Sequence, residues 1–265
     1  MKVLRQVKPN KGVEAEYRKR LKKLVDAMDK SVMYWILADY GNRTAREMAE
    51  AIRKRVKQWN RIFGEKAGDI ALWFVKTVRK HTEVGFGQSL REKQISRIPT
   101  VNKGIFDAVR IENEGLIKSI PEKYFTGIET IAMLALLYDW DKEKLRDMIE
   151  KRHGITERRV KNIASDQTHK STMIFKRALC VEMGIRYAKW VYTYRSETPR
   201  ESHVQADGAL FDIDVGCLID GEFILPGEKI NCKCDFKPVV EDLGEDLRSE
   251  VEKSVYYKNI ARGVK

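Results

Sequence analysis

The sequence predicts an α+β fold, in which a mainly α-helical N-terminal two-thirds precedes a small C-terminal antiparallel-sheet lobe packed on a long helix. Two observations predict it. Up to Gly184, apolar residues recur mostly every three or four positions, which is typical of helices with one buried face. After Gly184 the period falls to two, as in Trp190, Tyr192 and Tyr194, which is typical of strands.

A long amphipathic helix is predicted over residues 11–40. Its apolar stripe is formed by Val13, Tyr17, Leu21, Val25, Met28, Val32 and Trp35. The pair Gly41-Asn42 ends this helix. Thr44 is a suitable N-cap for the next helix, and Glu47, three residues later, completes a capping box.

Glycines indicate breaks in the helices that follow. We expect the second helix to end at Gly64, a third helix to occupy about 66–81, and the glycines from Gly85 onward to stop helical structure. Residues 85–104 are therefore predicted to be a hinge or loop that follows a basic helical N-terminal region, 1–84.

The segment 105–240 is predicted to form a helical and α+β domain. Pro121, preceded by Ser119, fits a helix start with proline at the first position. A shorter helix is expected to close at Gly154, and Thr156 to cap a long helix after it.

Short strands are predicted at the C-terminal end of this segment, at 209–215, 222–225 and 234–240. Asp207-Gly208 is a hairpin-type turn before the first of them. The remaining residues, 241–265, form a charged tail with a helical pattern.

The charge of the chain is +12 in total and unevenly distributed. Residues 1–66 carry a strong excess of Lys and Arg, whereas 201–250 are acidic. Clustered cations suit a polyanion such as double-stranded DNA, because neutralising phosphates releases counterions. The candidate DNA-contacting residues are Arg18, Lys19, Arg20, Lys22, Lys23, Arg53, Lys54, Arg55 and Lys57. The alternative is that these basic helix faces are simply solvated.

Membrane and secretory signals are not evident in the sequence. No apolar run approaches the ~18 residues that a membrane span requires, and the N-terminus has no apolar signal-peptide core. We therefore expect the chain to remain in the cytoplasm where it is made. Four unevenly spaced cysteines in such a chain do not predict a disulfide framework.

The C-terminal lobe carries a pattern of His, Cys and turn residues. Its members are Arg200, His203, Asp207, Gly208, Phe211, Pro226, Gly227, Asn231, Cys232 and Cys234. In order and spacing this pattern resembles the C-terminal domain of the Mu F-like phage head morphogenesis family. The resemblance covers roughly residues 105–240 and is weak before them. Lys233 stands where the family more often has Arg.

The resemblance implies a minor capsid protein of a tailed bacteriophage, present in a few copies near the portal vertex. Its implied partners are the portal protein, the major capsid or scaffolding protein, and packaged double-stranded DNA bound without sequence preference. Its implied location is the capsid interior or the portal vertex, after assembly in the host cytoplasm. The resemblance further implies a role in head assembly, DNA packaging or ejection, by binding rather than catalysis.

The side chains of His203, Cys217, Cys232 and Cys234 are a candidate ligand set for structural zinc, with one nitrogen and three sulfurs. The Cys-x-Cys spacing of Cys232 and Cys234 is tighter than the usual zinc spacing. One alternative is that the thiols are packing residues. Another is a late disulfide between Cys217 and Cys232.

An enzyme is the alternative function: a zinc- or thiol-dependent activity on nucleic acid or a protein partner, with His203 as the base. No glycine-rich nucleophile turn and no phosphate loop supports it. Cys180 is expected to be a small core residue, and His169 a surface or interface residue.

Overall fold

The structure, a computed structural model, describes residues 2–193, 199–241 and 247–254. Within them the chain forms six helices, α1 Lys11–Asp39, α2 Ala45–Arg91, α3 Lys103–Leu137, α4 Lys142–Glu182, α5 Glu201–Gln205 and α6 Arg248–Lys253. The strands are β1 Lys2–Val3, β2 Tyr187–Val191, β3 Leu210–Asp212, β4 Cys217–Ile219, β5 Glu222–Ile224 and β6 Asp235–Val240. The α+β class is confirmed.

Helix α1 agrees with the sequence analysis. Every residue of its predicted apolar stripe is buried. The helix ends just before Gly41, whose φ of +86° suits glycine. The capping box at the start of α2 is also present: the backbone N–H of Thr44 donates to Glu47 at 2.8 Å, and Thr44 Oγ1 accepts from the Glu47 N–H at 3.3 Å.

Helix α2 corrects the predicted breaks, because it runs unbroken through Gly64 and Gly85. A glycine inside a helix costs only about 1 kcal/mol. Burial of apolar side chains such as Phe63, Phe74 and Phe86 along the same helix outweighs that cost. The predicted hinge or loop at 85–104 therefore begins with helix, and residues 92–102 are its non-helical part.

Helices α3 and α4 are also longer than predicted. Pro121 lies inside α3 rather than at its start. There Ser119 Oγ donates to the Leu116 carbonyl at 2.7 Å. Gly154 does not end α4, and Thr156 is not a cap, since its hydroxyl donates to the Arg152 carbonyl at 3.1 Å within the helix.

The lobe contains an antiparallel sheet of order β1-β6-β2-β3 and a separate hairpin of β4 and β5. In the central pair Trp190 lies opposite Phe236, and Tyr187 lies opposite Val239. Strands β3, β5 and β6 match the predicted strands in place, whereas β1 and β4 were not predicted. Tyr194 and residues 242–246 and 255–265 of the predicted tail lie outside the described residues.

Two compact units are formed. One comprises Met1–Asn10, Val75–Ala108 and Asp166–Lys265, and the other Lys11–Phe74 and Val109–Ser165. In the first unit the sheet packs on the C-terminal part of α4, where the fully buried Lys176 ammonium pairs with Asp235 and donates to the Phe236 carbonyl at 2.8 Å.

The second unit is helical. In its core the Tyr17 ring stacks on Phe74 with 4.1 Å between ring centroids, and the Tyr17 hydroxyl donates to Asn113 at 3.2 Å. Among the described residues, no helix has the length and apolar character needed to cross a membrane.

Candidate metal centre

The centre of the lobe brings one imidazole and two thiols together. The Nδ1 atom of His203, on α5, lies 3.4 Å from the Cys234 sulfur and 3.6 Å from the Cys232 sulfur. All three potential ligand atoms lie within 4.8 Å of one another. The three residues are only 3–4% exposed.

Local backbone geometry explains why both thiols face the same side. Cys232 and Cys234 are two residues apart in extended chain that leads into β6, and alternate residues of such a chain point to one face. A turn precedes them, with the Cys232 N–H donating to the Lys229 carbonyl at 2.9 Å. Asn231 has a φ of +60°, a left-handed conformation that Asn tolerates better than most residues.

Two side chains hold the first half of the thiol-bearing segment, residues 230–234. Arg200 donates to the Ile230 carbonyl at 3.1 Å. Asp166, at the start of the lobe's part of α4, accepts the Asn231 N–H at 2.9 Å. These bonds assign positional roles to two members of the Arg200–Cys234 pattern.

The second half of the segment is anchored in the same way. The Thr193 hydroxyl donates to the Lys233 carbonyl at 2.7 Å. His169 Nε2 lies 2.7 Å from the Cys234 carbonyl oxygen. His169 is buried, so its predicted surface location is wrong. His169 lies on a buried face of α4. A polar residue at such a position gave no sequence signal that it would bond to the Cys234 carbonyl.

Electrostatics favour one thiolate in the pair. The pKa of Cys232 is lowered, first by the hydrogen bond from the Cys234 thiol and then by His203, while burial opposes the shift. Backbone N–H groups of Cys234 and Gly227 also contribute. The pKa of Cys234 is raised, because its proton is shared with Cys232 and because the site is buried. The arrangement therefore stabilises negative charge on sulfur.

An aromatic wall closes the site. The Trp190 ring meets the His203 ring edge-on at 5.5 Å between centroids and meets Phe211 at 6.1 Å. The Trp190 indole also favours the Cys234 thiolate, although its Nε1–H is outside hydrogen-bond geometry with any described acceptor.

Cys217 does not join this centre. It is buried on β4 and falls outside the group formed by His203, Cys232 and Cys234. Burial raises the pKa of its thiol to about 12. All four cysteines are free of disulfides, so the Cys217–Cys232 disulfide is not formed, and the structure does not group Cys217 with the other three members of the four-ligand set. Strand β5 lies between Cys217 and Cys232 in sequence. Spacing alone could not exclude Cys217 from the ligand set. Cys180 is a core residue, as predicted.

The remaining pattern residues shape the surrounding turns. Asp207 accepts the Tyr192 N–H at 2.9 Å, and the Gly208 N–H donates to the Trp190 carbonyl at 2.9 Å. Gly208 and Gly227 both have a φ of +80°, and Pro226 is buried beside Gly227. The residues that carry the resemblance thus all lie in one lobe.

A cavity of about 450 Å³ lies in the same unit, between α4 and the lobe. Its walls are mainly apolar and include Met173, Ile174, Phe211 and Leu225, with the half-exposed Val181 also lining it. Charged lining residues are engaged with the protein itself: Arg177 donates to the Ile213 carbonyl at 2.7 Å, and Glu182 pairs with Arg97 at 3.2 Å. The cavity therefore offers apolar contact.

The predicted DNA-contacting residues lie in the helical unit and fall into two classes. Three are engaged: Lys22 pairs with Asp26 and Glu157, Arg20 stacks on Trp73, and Arg55 lies over Trp35. The others are exposed, namely Arg18, Lys19, Lys23, Arg53, Lys54 and Lys57. Lys30, which sequence analysis missed, lines the same α1 surface as Lys19 and Lys23.

A second group of potential ligands, Asp26, His153 and Glu157, occurs in the helical unit. It is partly exposed, and the Lys22 ammonium donates to both carboxylates. A cation is therefore already supplied by the protein, and this group is best described as an ion-pair cluster between α1 and α4.

Comparison with known proteins finds a distant relative. No family model matches the chain, and no solved structure matches it. An uncharacterized protein of Haemophilus influenzae is 26% identical over 251 residues. The match covers 89% of this chain and 55% of the relative, so the chain spans about half of that relative's length. This similarity assigns no activity or partner.

Proposed function

We propose that the chain is a minor head protein of a tailed bacteriophage or prophage, which acts by binding at the portal vertex during head assembly, DNA packaging or ejection. One observation supports the proposal: three residues of the Mu F-like pattern, His203, Cys232 and Cys234, meet in one buried cluster, and Arg200 of the same pattern donates to the Ile230 carbonyl beside it.

The proposed docking surface for the portal protein is the apolar cavity beside α4. Its charged lining residues are engaged within the chain, so an uncharged apolar group of the partner suits it better than a charged one. Val181 is 51% exposed at this cavity, and exposed apolar side chains grouped at a concave surface are typical of interaction sites.

The test is copurification after coexpression with the portal protein and, separately, the major capsid protein of the same genome. We expect the wild-type chain to copurify with the portal protein. Val181→Asp should reduce the copurified portal protein at least tenfold. Val84→Asp is the matched control, because Val84 is a helical valine of the same unit, 52% exposed, and does not line the cavity. A folded chain that binds neither protein contradicts the proposal.

Packaged DNA is the second proposed partner, through the exposed cations of α1 and α2. The location that follows is the capsid interior or portal vertex, reached from the host cytoplasm. This contact would be salt-sensitive and independent of sequence, because phosphate contacts position a protein without reading bases.

A second candidate function is a thiol-dependent enzyme. The observation that favours it is the stabilised Cys232 thiolate beside His203, the arrangement that activates a nucleophile. The burial of both residues opposes it, since a substrate must reach the sulfur. Rapid alkylation of Cys232 by iodoacetamide in the folded chain would support the enzyme. Protection of Cys232 would support the binding function.

A further inference from the structure

We propose that His203, Cys232 and Cys234 bind one zinc ion through Nδ1 and two sulfur atoms, and that Cys217 is not a ligand. The proposal does not rest on the phage function, since it follows from the geometry and charge of the centre alone. It names a three-residue protein ligand set in place of the four-residue set that the sequence suggested.

The separations of the His203 nitrogen from the two sulfur atoms are close to those that a shared zinc ion requires. Zinc bonds of about 2.3 Å to sulfur and 2.0–2.1 Å to nitrogen, at a tetrahedral angle, place the two ligand atoms about 3.6 Å apart. The observed separations from His203 Nδ1 are 3.4 Å to Cys234 and 3.6 Å to Cys232. Both nitrogen–sulfur separations therefore match a shared zinc ion, and the two sulfur atoms also lie within 4.8 Å of each other.

A hydrogen bond alone explains this geometry less well. The Nδ1 atom of His203 can carry one proton, yet it lies at nearly equal distance from two sulfurs. One N–H cannot point well at both, since hydrogen bonds weaken steeply away from linearity. An ion bound to all three atoms satisfies them together.

Charge gives a second argument. Two thiolates and a neutral imidazole around Zn²⁺ carry no net charge, which suits residues that are only 3–4% exposed. Without an ion, a buried thiolate requires a cation beside it. Sulfur and imidazole ligands also select zinc over magnesium, calcium or manganese, which prefer oxygen.

The surroundings hold the ligands as zinc sites require. His169 Nε2 lies 2.7 Å from the Cys234 carbonyl oxygen, and Asp166 accepts the Asn231 N–H at 2.9 Å, so the chain is held on both sides of Cys232. Among the described residues, the group contains no fourth His, Cys, Asp or Glu.

The experiment measures zinc per chain by elemental mass spectrometry after purification with added ZnCl2 and gel filtration. We expect about one zinc in the wild type and in Cys217→Ser, which is the matched control because it also removes a buried thiol of the lobe. Cys232→Ser, Cys234→Ser and His203→Ala should each lose most of it. A metal-free wild type, or a Cys217→Ser variant as depleted as Cys232→Ser, overturns the proposal.

A spectroscopic measurement on the wild type covers the case in which the ligand variants do not fold. Cobalt(II) in place of zinc should give the visible bands of a tetrahedral site and a thiolate-to-cobalt charge-transfer band in the near ultraviolet. The intensity of that band scales with the number of thiolates. An intensity for two thiolates supports the proposal, whereas three thiolates, or a spectrum without charge transfer, overturns it.

Discussion

The Nε2 atom of His169 lies 2.7 Å from the carbonyl oxygen of Cys234, and this contact ties α4 to the thiol-bearing segment in the core of the lobe. Both residues are buried. Burial lowers the pKa of His169, and the contact with the Cys234 carbonyl opposes that shift. The imidazole thus acts as a buried hydrogen-bond donor, and its loss leaves a carbonyl without its partner.

We expect His169→Ala to lower the free energy of unfolding by about 1–3 kcal/mol, the cost of an unsatisfied buried polar group. Urea unfolding followed by circular dichroism measures it. His81→Ala is the control, because the contact of His81 Nε2 with the Lys8 carbonyl at 3.0 Å, in the same unit, is exposed. Its cost should be about 0.5–1 kcal/mol or less, since water replaces an exposed hydrogen bond. Equal costs would contradict the assigned role of His169.

The buried ion pair of Lys176 and Asp235 predicts a larger effect. Lys176→Met removes the ammonium and leaves the Asp235 carboxylate buried without its cation. We expect a loss of about 3–5 kcal/mol, the range for breaking a buried pair from one side. Thermal and urea unfolding of the variant measure it.

The control is the double variant Lys176→Met with Asp235→Asn. Removing both charges also removes the uncompensated carboxylate, so the double variant should be more stable than Lys176→Met alone. A double variant that is less stable than the single one, by the full cost of a second independent substitution, would show that the two groups are not coupled.

Gly227 tests the fit of the turn against α4. A methyl group at Gly227 would lie 2.8 Å from Met173 Cγ and 3.1 Å from His169 Cδ2. Gly221 has the same φ of +80° but open space around the same position. We expect Gly227→Ala to lower the free energy of unfolding by about 1–3 kcal/mol more than Gly221→Ala does. Both variants share the same backbone strain, so the difference between them measures overpacking alone. Similar unfolding midpoints for the two variants would be inconsistent with this packing.

Local sequence signals predicted those elements whose causes are local. The α1 stripe and the capping box of Thr44 depend on residues within one or two turns, so their spacing was sufficient. Predictions were wrong at Gly64, Pro121 and Gly154, which lie inside helices. A helix tolerates such a residue when burial of its other side chains contributes more free energy than the residue costs. That burial depends on partners that no local pattern specifies.

The candidate site was predicted only in part, because some of its contacts are local in sequence and others are not. His203, Cys232 and Cys234 could be grouped, because a compact motif and the alternation of extended chain bring them together. Cys217 could not be excluded, since its position depends on how the β4–β5 hairpin folds back. His169 and Lys176 were missed as buried groups, because their partners lie 65 and 59 residues away.

The Glu157 carboxylate should make the stability of the helical unit depend on pH. The hydrogen bond from Lys22 lowers the pKa of Glu157 below its usual 4.5. A carboxyl with a depressed folded-state pKa contributes stability above its unfolded pKa and loses it as the pH falls through the folded value. We expect Glu157→Gln to cost about 0.2–1 kcal/mol at pH 7, the range for a partly exposed pair. The difference from the wild type should shrink as the pH falls below 4.5, and high salt should reduce it at pH 7.

The exposed cations of α1 predict the salt dependence of DNA binding. Lys19 and Lys23 are exposed one helical turn apart, whereas the Lys22 ammonium is held by Asp26 and Glu157. Each Lys–phosphate contact contributes about 0.9 to the slope of log affinity against log salt concentration. The Lys19→Gln/Lys23→Gln variant should therefore reduce the slope by roughly 2. Fluorescence anisotropy with a labelled random-sequence duplex over a KCl series measures it.

Lys22→Gln is the comparison variant, because it removes one formal charge from the same helix face. Its effect on the slope should be clearly smaller than half that of the double variant, since its ammonium is already committed to two carboxylates. A second duplex of unrelated sequence should give the same affinities, because phosphate contacts do not read bases. A slope that is unchanged in the double variant would place the DNA contact elsewhere, and a flat salt dependence in the wild type would remove DNA as a partner of this surface.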